Sequence, residues 1–177
     1  VGPTGAGKSV LLALLALQFR RYPRAQVYVF DKGFSARAAV LAMGGAHHAL
    51  GLGGESGHAD DVGGRTIAFQ PLRHIDRSNA RAWATEWIGA LLAHEKVLVT
   101  PEIKEAVWSA LTNLATAPIE ERTLTGLSLL LQSAPLRSAL APYTLEGSFG
   151  RLLDAAEDDL AIADVQCFET EALMGQA

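Results

Sequence analysis

The sequence predicts an α/β fold with a parallel sheet, and three consecutive features support this prediction. A glycine-rich stretch, "GPTGAGKS", occupies residues 2–9, and the apolar run "VLLALLALQF" follows it directly. A short segment rich in β-branched and aromatic residues, "QVYVF", comes next. A loop, an amphipathic or buried helix and a buried strand in this order are parts of an α/β unit with parallel strands.

The glycine-rich stretch matches G-x-x-x-x-G-K-[ST] at each defined position. Glycines let the backbone curl so that successive N–H groups point at phosphate oxygens. Lys8 is predicted to reach the β and γ phosphates and to act as the catalytic residue, and the Ser9 hydroxyl is the predicted Mg²⁺ ligand. The predicted nucleotide-binding residues of this P-loop are Gly2, Pro3, Thr4, Gly5, Ala6, Gly7, Lys8, Ser9 and Val10.

The segments after the P-loop predict the first half of the fold. The apolar helix ends near Tyr22–Pro23, and residues 26–31 form a buried parallel strand that ends at Asp31. Ser35 is predicted to cap a helix over "ARAAVLAM", which Gly44 and Gly45 close.

A mobile surface loop is predicted next, because residues 44–64 hold eight of the 17 glycines. A metal site is the alternative for this segment, but the spacing of its His and Asp residues fits no established ligand pattern. Those residues are His47, His48, His58, Asp60 and Asp61. A second strand is predicted at residues 66–69, within "RTIAFQP".

The rest of the chain is predicted to be mainly helical, with a final strand. One helix runs from Ser78 to about Glu95, and the next begins at the cap Thr100. Two short helices cover "TLTGLSLLLQ" and "PLRSALAPY", and a buried strand at 162–168 precedes a helix from Thr170. The apolar face of the first helix is predicted to pack in the core, although its tryptophans could instead stack on a base. That face consists of Trp83, Trp87, Ile88, Leu91 and Leu92.

These elements predict one partial P-loop domain over residues 1–177. Residues 1–77 form its P-loop and strand–helix core, residues 78–145 a helical insert, and residues 146–177 the return to the core. The net charge of −4, from 15 Lys+Arg against 19 Asp+Glu, gives nucleic-acid binding no support and does not exclude it. The longest apolar run, Val10–Leu17, is far short of the roughly 20 residues of a membrane span. Cys167 is expected to be a buried, reduced core residue of a cytosolic protein.

Six segments, taken in order, resemble the TrbE-type conjugal-transfer ATPases, the VirB-class ATPases of type IV secretion systems. They are "GPTGAGKSVLLALLALQFRRYP", "VFDKGFSARAAVLAMGG", "FQPL", "TPEIKEAVWSAL", "ERTLTGLSLLLQ" and "DVQCFETEALM". A P-loop by itself is generic to many NTPases, so the later segments carry the family assignment. The resemblance runs from Val1 to about Met174.

The resemblance implies a RecA/FtsK-like motor domain that binds and hydrolyses ATP, as a homo-oligomer of hexamer type at full length. It also implies partner subunits of a conjugation or type IV secretion complex, and a cytoplasmic location peripheral to the inner membrane. Gly5, Gly7, Lys8 and Ser9 would hold the triphosphate and Mg²⁺. Asp31 joins the nucleotide-binding set as a residue at the end of its strand, and Lys32 matches the same segment of the family.

The sequence departs from the family in its Walker B segment, an apolar strand ending in Asp-Glu that completes the Mg²⁺ site and activates the attacking water. Lys32 follows Asp31 where that Glu would stand, and "VQCFE", ending at Glu169, resembles a different strand of the family. Walker B is therefore expected after residue 177. The chain is expected to be an internal fragment that lacks most of its central strand and hydrolyses ATP weakly or not at all alone.

Two other functions stay open on the sequence. A DNA-translocating ATPase of the FtsK/HerA group would be expected to carry basic pore loops, which the net charge of −4 does not favour. A nucleotide-binding scaffold that does not hydrolyse ATP is the alternative for the isolated chain. Arg65, Arg122 and Arg151 are each conceivable as an arginine finger, and their spacing selects none of them.

Overall fold

The computed structural model describes residues 7–50, 67–160 and 163–174. The chain divides into two compact units. We call residues 1–67 with 160–177 the sheet unit, and residues 68–159 the helical unit.

The sheet unit begins with four elements, and the helical unit with its five helices follows before the chain returns to the sheet. In chain order the elements are α1 (Lys8–Phe19), β1 (Val27–Asp31), α2 (Arg37–Ala42), β2 (Ala46–Ala49), α3 (Ser78–His94), α4 (Pro101–Leu114), α5 (Leu124–Leu130), α6 (Ala134–Leu140), α7 (Gly150–Leu153), β3 (Val165–Glu169) and α8 (Glu171–Met174). Two short 3₁₀ helices, Ile119–Glu121 and Ala141–Tyr143, lie within the helical unit.

The three described strands form one parallel sheet in the order β1–β3–β2. In the register of this sheet, Val27 pairs with Val165, Asp31 with Glu169, and Ala49 also with Glu169. The α/β class and the parallel sheet predicted from the sequence are therefore confirmed. The strand that returns from the helical unit lies between the two strands that precede that unit.

One face of the sheet carries the core of the sheet unit. Valines at alternate positions of β1 point to this face, where they pack beside the buried Val165 and Cys167 of β3 and Val40 of α2. On the other face Tyr28 is exposed, and Phe30 is 75% exposed while it stacks on Phe168. The prediction that β1 is wholly buried was therefore wrong for alternate residues, since successive strand side chains point to opposite faces.

The glycine-rich segment from residue 44 contains a strand where the sequence predicts a mobile loop. Ala46–Ala49 pairs with β3 as β2, and its His47 and His48 are buried. This strand has only four residues, too few to show an alternation of apolar and polar side chains among the glycines and histidines. It forms because it pairs in parallel with β3, which is distant in the sequence. His58, Asp60 and Asp61 lie outside the described residues.

The predicted second strand at residues 66–69 does not form over its described part, 67–69. The backbone there bonds to segments that are not strands: the Phe69 amide donates to the Leu152 carbonyl of α7, and the Asp159 amide donates to the Ala68 carbonyl. The side-chain amide of Gln70 also donates to the Ile119 carbonyl. Ile67 is buried and Phe69 is half-buried, but neither pairs with a strand in the described part of the chain, so residue composition alone gave the wrong prediction.

The helical unit has its own hydrophobic core, and α3 to α6 lie close to the predicted ranges, whereas α7 was not predicted. Ile88 and Leu92 of α3, Val107 and Leu111 of α4, and Leu127 of α5 are all buried in it. Thr100 caps α4 as predicted, because its hydroxyl oxygen accepts from the Ile103 amide at 3.5 Å.

The tryptophans of α3 only partly follow the prediction of core packing. Trp87 packs against the core at partial burial, whereas Trp83 is 54% exposed and stacks on Trp87 with ring centroids 5.6 Å apart. The prediction was therefore wrong for Trp83. The apolar face of α3 is wider than the part of it that the core of the helical unit covers, so Trp83 at its margin stays exposed.

Candidate functional site

The first described residues of the predicted P-loop stand at the start of α1. Gly7 precedes the helix with φ +74°, a left-handed conformation that glycine adopts without strain, and its carbonyl accepts from the Leu11 amide at 3.0 Å. Lys8, Ser9 and Val10 form the first helical turn and are exposed. The backbone N–H groups of a first turn have no partner within their helix, and the helix dipole favours an anion there. The predicted residues Gly2, Pro3, Thr4, Gly5 and Ala6 lie outside the described residues.

A small cavity brings Ser9 and Asp31 to one place. It has a volume of about 110 Å³, and its lining comes from α1, β1, α2 and the loop between the last two. Its polar lining residues are Ser9, Asp31 and Ser35, and the others are apolar. Ligand pockets usually measure roughly 300–1,000 Å³, so this space suits a few water molecules or a hydrated ion better than a whole nucleotide.

Asp31 ends β1, and the residues after it bind its carboxylate. The Ser35 hydroxyl donates to Oδ1 at 2.7 Å, and the Ala36 amide donates to Oδ2 at 2.7 Å. Burial raises the pKa of this carboxyl, but the bonds from Ser35, Ala36 and the Lys32 backbone, together with nearby His47, outweigh it and lower the pKa below its ordinary value. Asp31 is therefore held as a carboxylate at the edge of the cavity.

Ser35 has a different role from the one predicted. The residue that precedes α2 is Ala36, without a side-chain cap, and the Ser35 hydroxyl binds Asp31 instead. Gly44, at φ +73°, closes the end of α2 as expected. A hydroxyl four residues after a strand-end aspartate was the sequence signal for this turn, since short side chains of this kind bind nearby backbone and side-chain groups in turns.

The loop after β1 is also held from the neighbouring strand, by a residue that sequence reasoning did not place in the site. The carboxylate of Glu169, at the end of β3, accepts from the Gly33 amide at 3.2 Å and from the Phe34 amide at 2.7 Å. The Glu171 amide donates to the same carboxylate at 2.9 Å. Both loop residues have positive φ, +88° for Gly33 and +57° for Phe34, and Phe34 is a residue type that seldom adopts it.

Among the described residues, no cluster of protein ligands surrounds the predicted Mg²⁺ ligand Ser9. Over the described ranges 7–50, 67–160 and 163–174, no three His, Cys, Asp or Glu side chains gather in a way that could hold a metal ion. A metal at Ser9 would therefore take most of its ligands from phosphate oxygens and water, as Mg²⁺ in nucleotide sites does.

Two of the three candidate finger arginines lie in the helical unit. The Arg122 guanidinium donates to the Ala117 and Arg73 carbonyls, both at 3.1 Å, and pairs with Asp76 at 2.8 Å. Arg151, on α7, is exposed. Arg65 lies outside the described residues. Because a finger must reach a nucleotide with a free guanidinium, Arg122 is poorly suited to this role.

Membrane spans need a long apolar helix. Within the part of the chain that the structure describes, no helix combines the length and the apolar character needed to cross a bilayer.

The chain is similar to three proteins of bacterial transfer systems. It is 42% identical over 174 residues to a probable conjugal transfer protein TrbE of Sinorhizobium fredii, covering 98% of this chain and 25% of that protein. It is 40% identical to the conjugal transfer protein TrbE of Rhizobium radiobacter, covering 98% of this chain and 20% of that protein. The chain is also 26% identical to the type IV secretion system protein virB4 of Bartonella henselae, and the match covers 90% of this chain and 19% of that protein. No family model matches the chain.

Proposed function

We propose that this chain, a homologue of a segment of the TrbE conjugal transfer proteins, is the nucleotide-binding part of an ATPase that energises type IV secretion. The homology spans 98% of the chain at 40–42% identity, and it covers only a fifth to a quarter of each TrbE relative. ATP binding, hydrolysis and the transport that they drive are therefore parts of the proposal.

The observation that carries the proposal is that Ser9 and Asp31 line the same cavity. Ser9 stands in the first turn of α1, and Asp31 ends the parallel strand β1. In open α/β sheets, ligands bind outside the carboxyl ends of the parallel strands. A P-loop serine and a carboxylate at that edge are the groups that a Mg²⁺-bound triphosphate needs.

Each residue of the loop has a distinct role in this proposal. The backbone amides of residues 4–7 cradle the phosphates, and the Lys8 ammonium neutralises charge on the β and γ phosphates. The Ser9 hydroxyl would be a ligand of Mg²⁺, and the Asp31 carboxylate, which lines the same cavity, would stabilise the charge of the hydrated ion. We propose that the chain is part of a P-loop domain of the RecA/FtsK type, as its resemblance to the TrbE-type ATPases implies.

Hydrolysis needs a group that activates water, and Asp31 is poorly suited to be that group. Both of its oxygens already accept hydrogen bonds from Ser35 and Ala36, and its pKa is lowered, which makes it a weak base. The chain contains no apolar strand that ends in an Asp-Glu pair. We therefore expect the isolated chain to bind ATP and to turn it over weakly or not at all.

The same homology supports a proposal about where and with which partners the protein works. We propose that it works with other subunits of a conjugation or type IV secretion complex, peripheral to the inner membrane on its cytoplasmic side. A homo-oligomer of hexamer type is the proposed working form of the full-length protein.

Calorimetric titration with Mg·ATP tests the nucleotide site. Lys8→Ala is expected to weaken binding at least about tenfold, because it removes a charge-assisted contact with phosphate. Lys104→Ala is the matched control, since Lys104 lies in the helical unit and pairs with the exposed Glu86. Equal affinities of Lys8→Ala and the unsubstituted protein would contradict the proposal. ATP turnover by the isolated chain that Lys8→Ala abolishes would contradict the expectation of weak hydrolysis.

A further inference from the structure

Glu169 is a buried acid at the edge of the sheet where the proposed nucleotide site lies. Its side chain is 1% exposed, and its two oxygens accept three backbone N–H bonds, from Gly33, Phe34 and Glu171. A buried charge is costly unless hydrogen bonds compensate for it. Here the compensation comes mainly from the loop that follows β1, so the carboxylate and that loop hold each other in place.

The conformation of the loop depends on this carboxylate. Gly33 and Phe34 both have positive φ, and their consecutive amides converge on Glu169. Consecutive amides arranged in this way form a concave site for an anion, and here the protein supplies the anion itself. Residues held in a sparsely populated conformation persist only where their surroundings enforce it.

The same loop then holds Asp31. The two residues after Phe34 are Ser35 and Ala36, and they donate to the two oxygens of the Asp31 carboxylate. Glu169 therefore fixes the first half of the loop, Gly33 and Phe34. The second half, Ser35 and Ala36, is fixed with it and orients Asp31. The Asp31 carboxylate then lies at the cavity that Ser9 also lines.

We infer that Glu169 is a positioning residue for the Mg²⁺ side of the nucleotide site, acting on Asp31 through the loop 33–36. This inference rests on the proposed function. Glu169 touches neither the cavity nor the nucleotide in this scheme. Its loss should weaken the part of nucleotide affinity that depends on Mg²⁺ and leave the affinity for metal-free ATP nearly unchanged.

The test measures ATP affinity by calorimetry, in Mg²⁺ and in EDTA, on the protein at its full natural length. Glu169→Gln keeps the size of the side chain but replaces one acceptor oxygen by an NH₂ group, which cannot accept from a loop amide. We expect it to weaken binding about tenfold in Mg²⁺ and less than about twofold in EDTA, in the range found for residues that orient metal ligands. Asp31→Asn should weaken ATP binding in the same Mg²⁺-dependent way. The double variant should lose no more affinity in Mg²⁺ than the single variant that binds more weakly.

Glu105→Gln is the matched control, because Glu105 is exposed on α4 in the helical unit. Two results would overturn this inference and leave the proposed function standing. One is an ATP affinity of Glu169→Gln equal to that of the unsubstituted protein, and the other is a loss of affinity of the same size with and without Mg²⁺. If Glu169→Gln does not fold, Glu169→Asp keeps the charge on a shorter side chain, and an unchanged Mg²⁺ dependence in that variant overturns it as well. No Mg·ATP binding by the unsubstituted protein would overturn the proposed function and this inference together.

Discussion

Asp31 and Glu169 are register partners at the ends of neighbouring parallel strands, and both carboxylates accept hydrogen bonds from the same short loop, residues 33–36. Asp31 lies two residues before Gly33, the first residue of this loop, whereas Glu169 lies 135 residues beyond Phe34. The edge of the sheet is therefore organised by one local and one distant acid. Their hydrogen bonds make the shape of the loop depend on both strands.

Acidification should release the loop through Asp31. Burial raises the pKa of Asp31, but its hydrogen bonds outweigh this effect and the folded-state pKa is lowered. A lowered folded pKa contributes stability above the unfolded value of about 3.9, and that contribution is lost as the pH falls through the folded pKa. Asp31→Asn should therefore be less stable than the unsubstituted protein near neutral pH, and the difference should shrink in acid.

Urea unfolding at a series of pH values measures this difference. Asp164→Asn provides the control, since Asp164 is an exposed aspartate in the sheet unit. A gap between Asp31→Asn and the unsubstituted protein that stays constant down to about pH 3 would argue against the linkage.

Gly45→Ala should destabilise the sheet unit. A Cβ atom on Gly45 would lie 2.6 Å from the carbonyl oxygen and 2.8 Å from the Cβ of Val165 in the central strand β3. Forcing an atom into such a contact costs typically about 1–3 kcal/mol of unfolding free energy. Gly89→Ala is the control within a helix, because its nearest neighbour would be 3.8 Å away. Thermal unfolding that ranks the two variants in the opposite order would count against this packing.

Cys167 should be unreactive in the folded protein. It is fully buried in β3, and burial, followed by the nearby carboxylates of Asp31 and Glu169, raises the pKa of its thiol to about 11. The thiolate is the reactive form, and little of it exists at neutral pH. Labelling with a chromogenic disulfide reagent should be slow in native buffer and fast in denaturant. Rapid labelling before unfolding would refute this expectation, and Cys167→Ser gives the background.

Asp154→Ala should destabilise the helical unit. The buried Asp154 carboxylate accepts from the Thr125 amide at 3.0 Å and from the Thr125 hydroxyl, whose oxygen accepts from the Leu145 amide at 3.1 Å. Removing it leaves the amide and the hydroxyl of the half-buried Thr125 without this acceptor, at a cost of about 1–3 kcal/mol. Glu157→Ala, an exposed acid three residues along the chain, should change the free energy of unfolding by less than about 0.5 kcal/mol. Similar values for the two variants would disprove the role of Asp154.

Arg122→Ala should lower stability, whereas Arg151→Ala should not. Arg122 binds two backbone carbonyls and Asp76, and charge-assisted hydrogen bonds of this kind contribute roughly 1.5–3 kcal/mol when their partners would be left unpaired. Arg151 is exposed, so its removal should be nearly neutral. Urea titrations of both variants measure this contrast. A stable Arg122→Ala variant with impaired ATPase activity would instead favour Arg122 as a finger.

The ends of two helices could be predicted from the residues next to them in the sequence. Thr100 and Pro101 mark the start of α4, and Gly44 marks the end of α2, because capping geometry depends on residues within one turn. Helices α3 to α6 were likewise predicted from the sequence, whereas α7 was not. Strand β2 and the irregular segment at 67–70 were mispredicted, because pairing with a distant strand, or its absence, decides whether such residues become a strand.

The sequence by itself determined the P-loop signature, the α/β class and the homology to TrbE, because these depend on residue types in a fixed order. Only the tertiary structure decided that Glu169 belongs beside Asp31, since the two residues meet through a strand register that no spacing along the chain encodes. The structure also shows that Ser35, predicted as a helix cap, donates a hydrogen bond to Asp31 instead. The physical reason is the same in both cases: a carboxylate at a strand end binds whichever N–H and O–H donors the fold brings within reach.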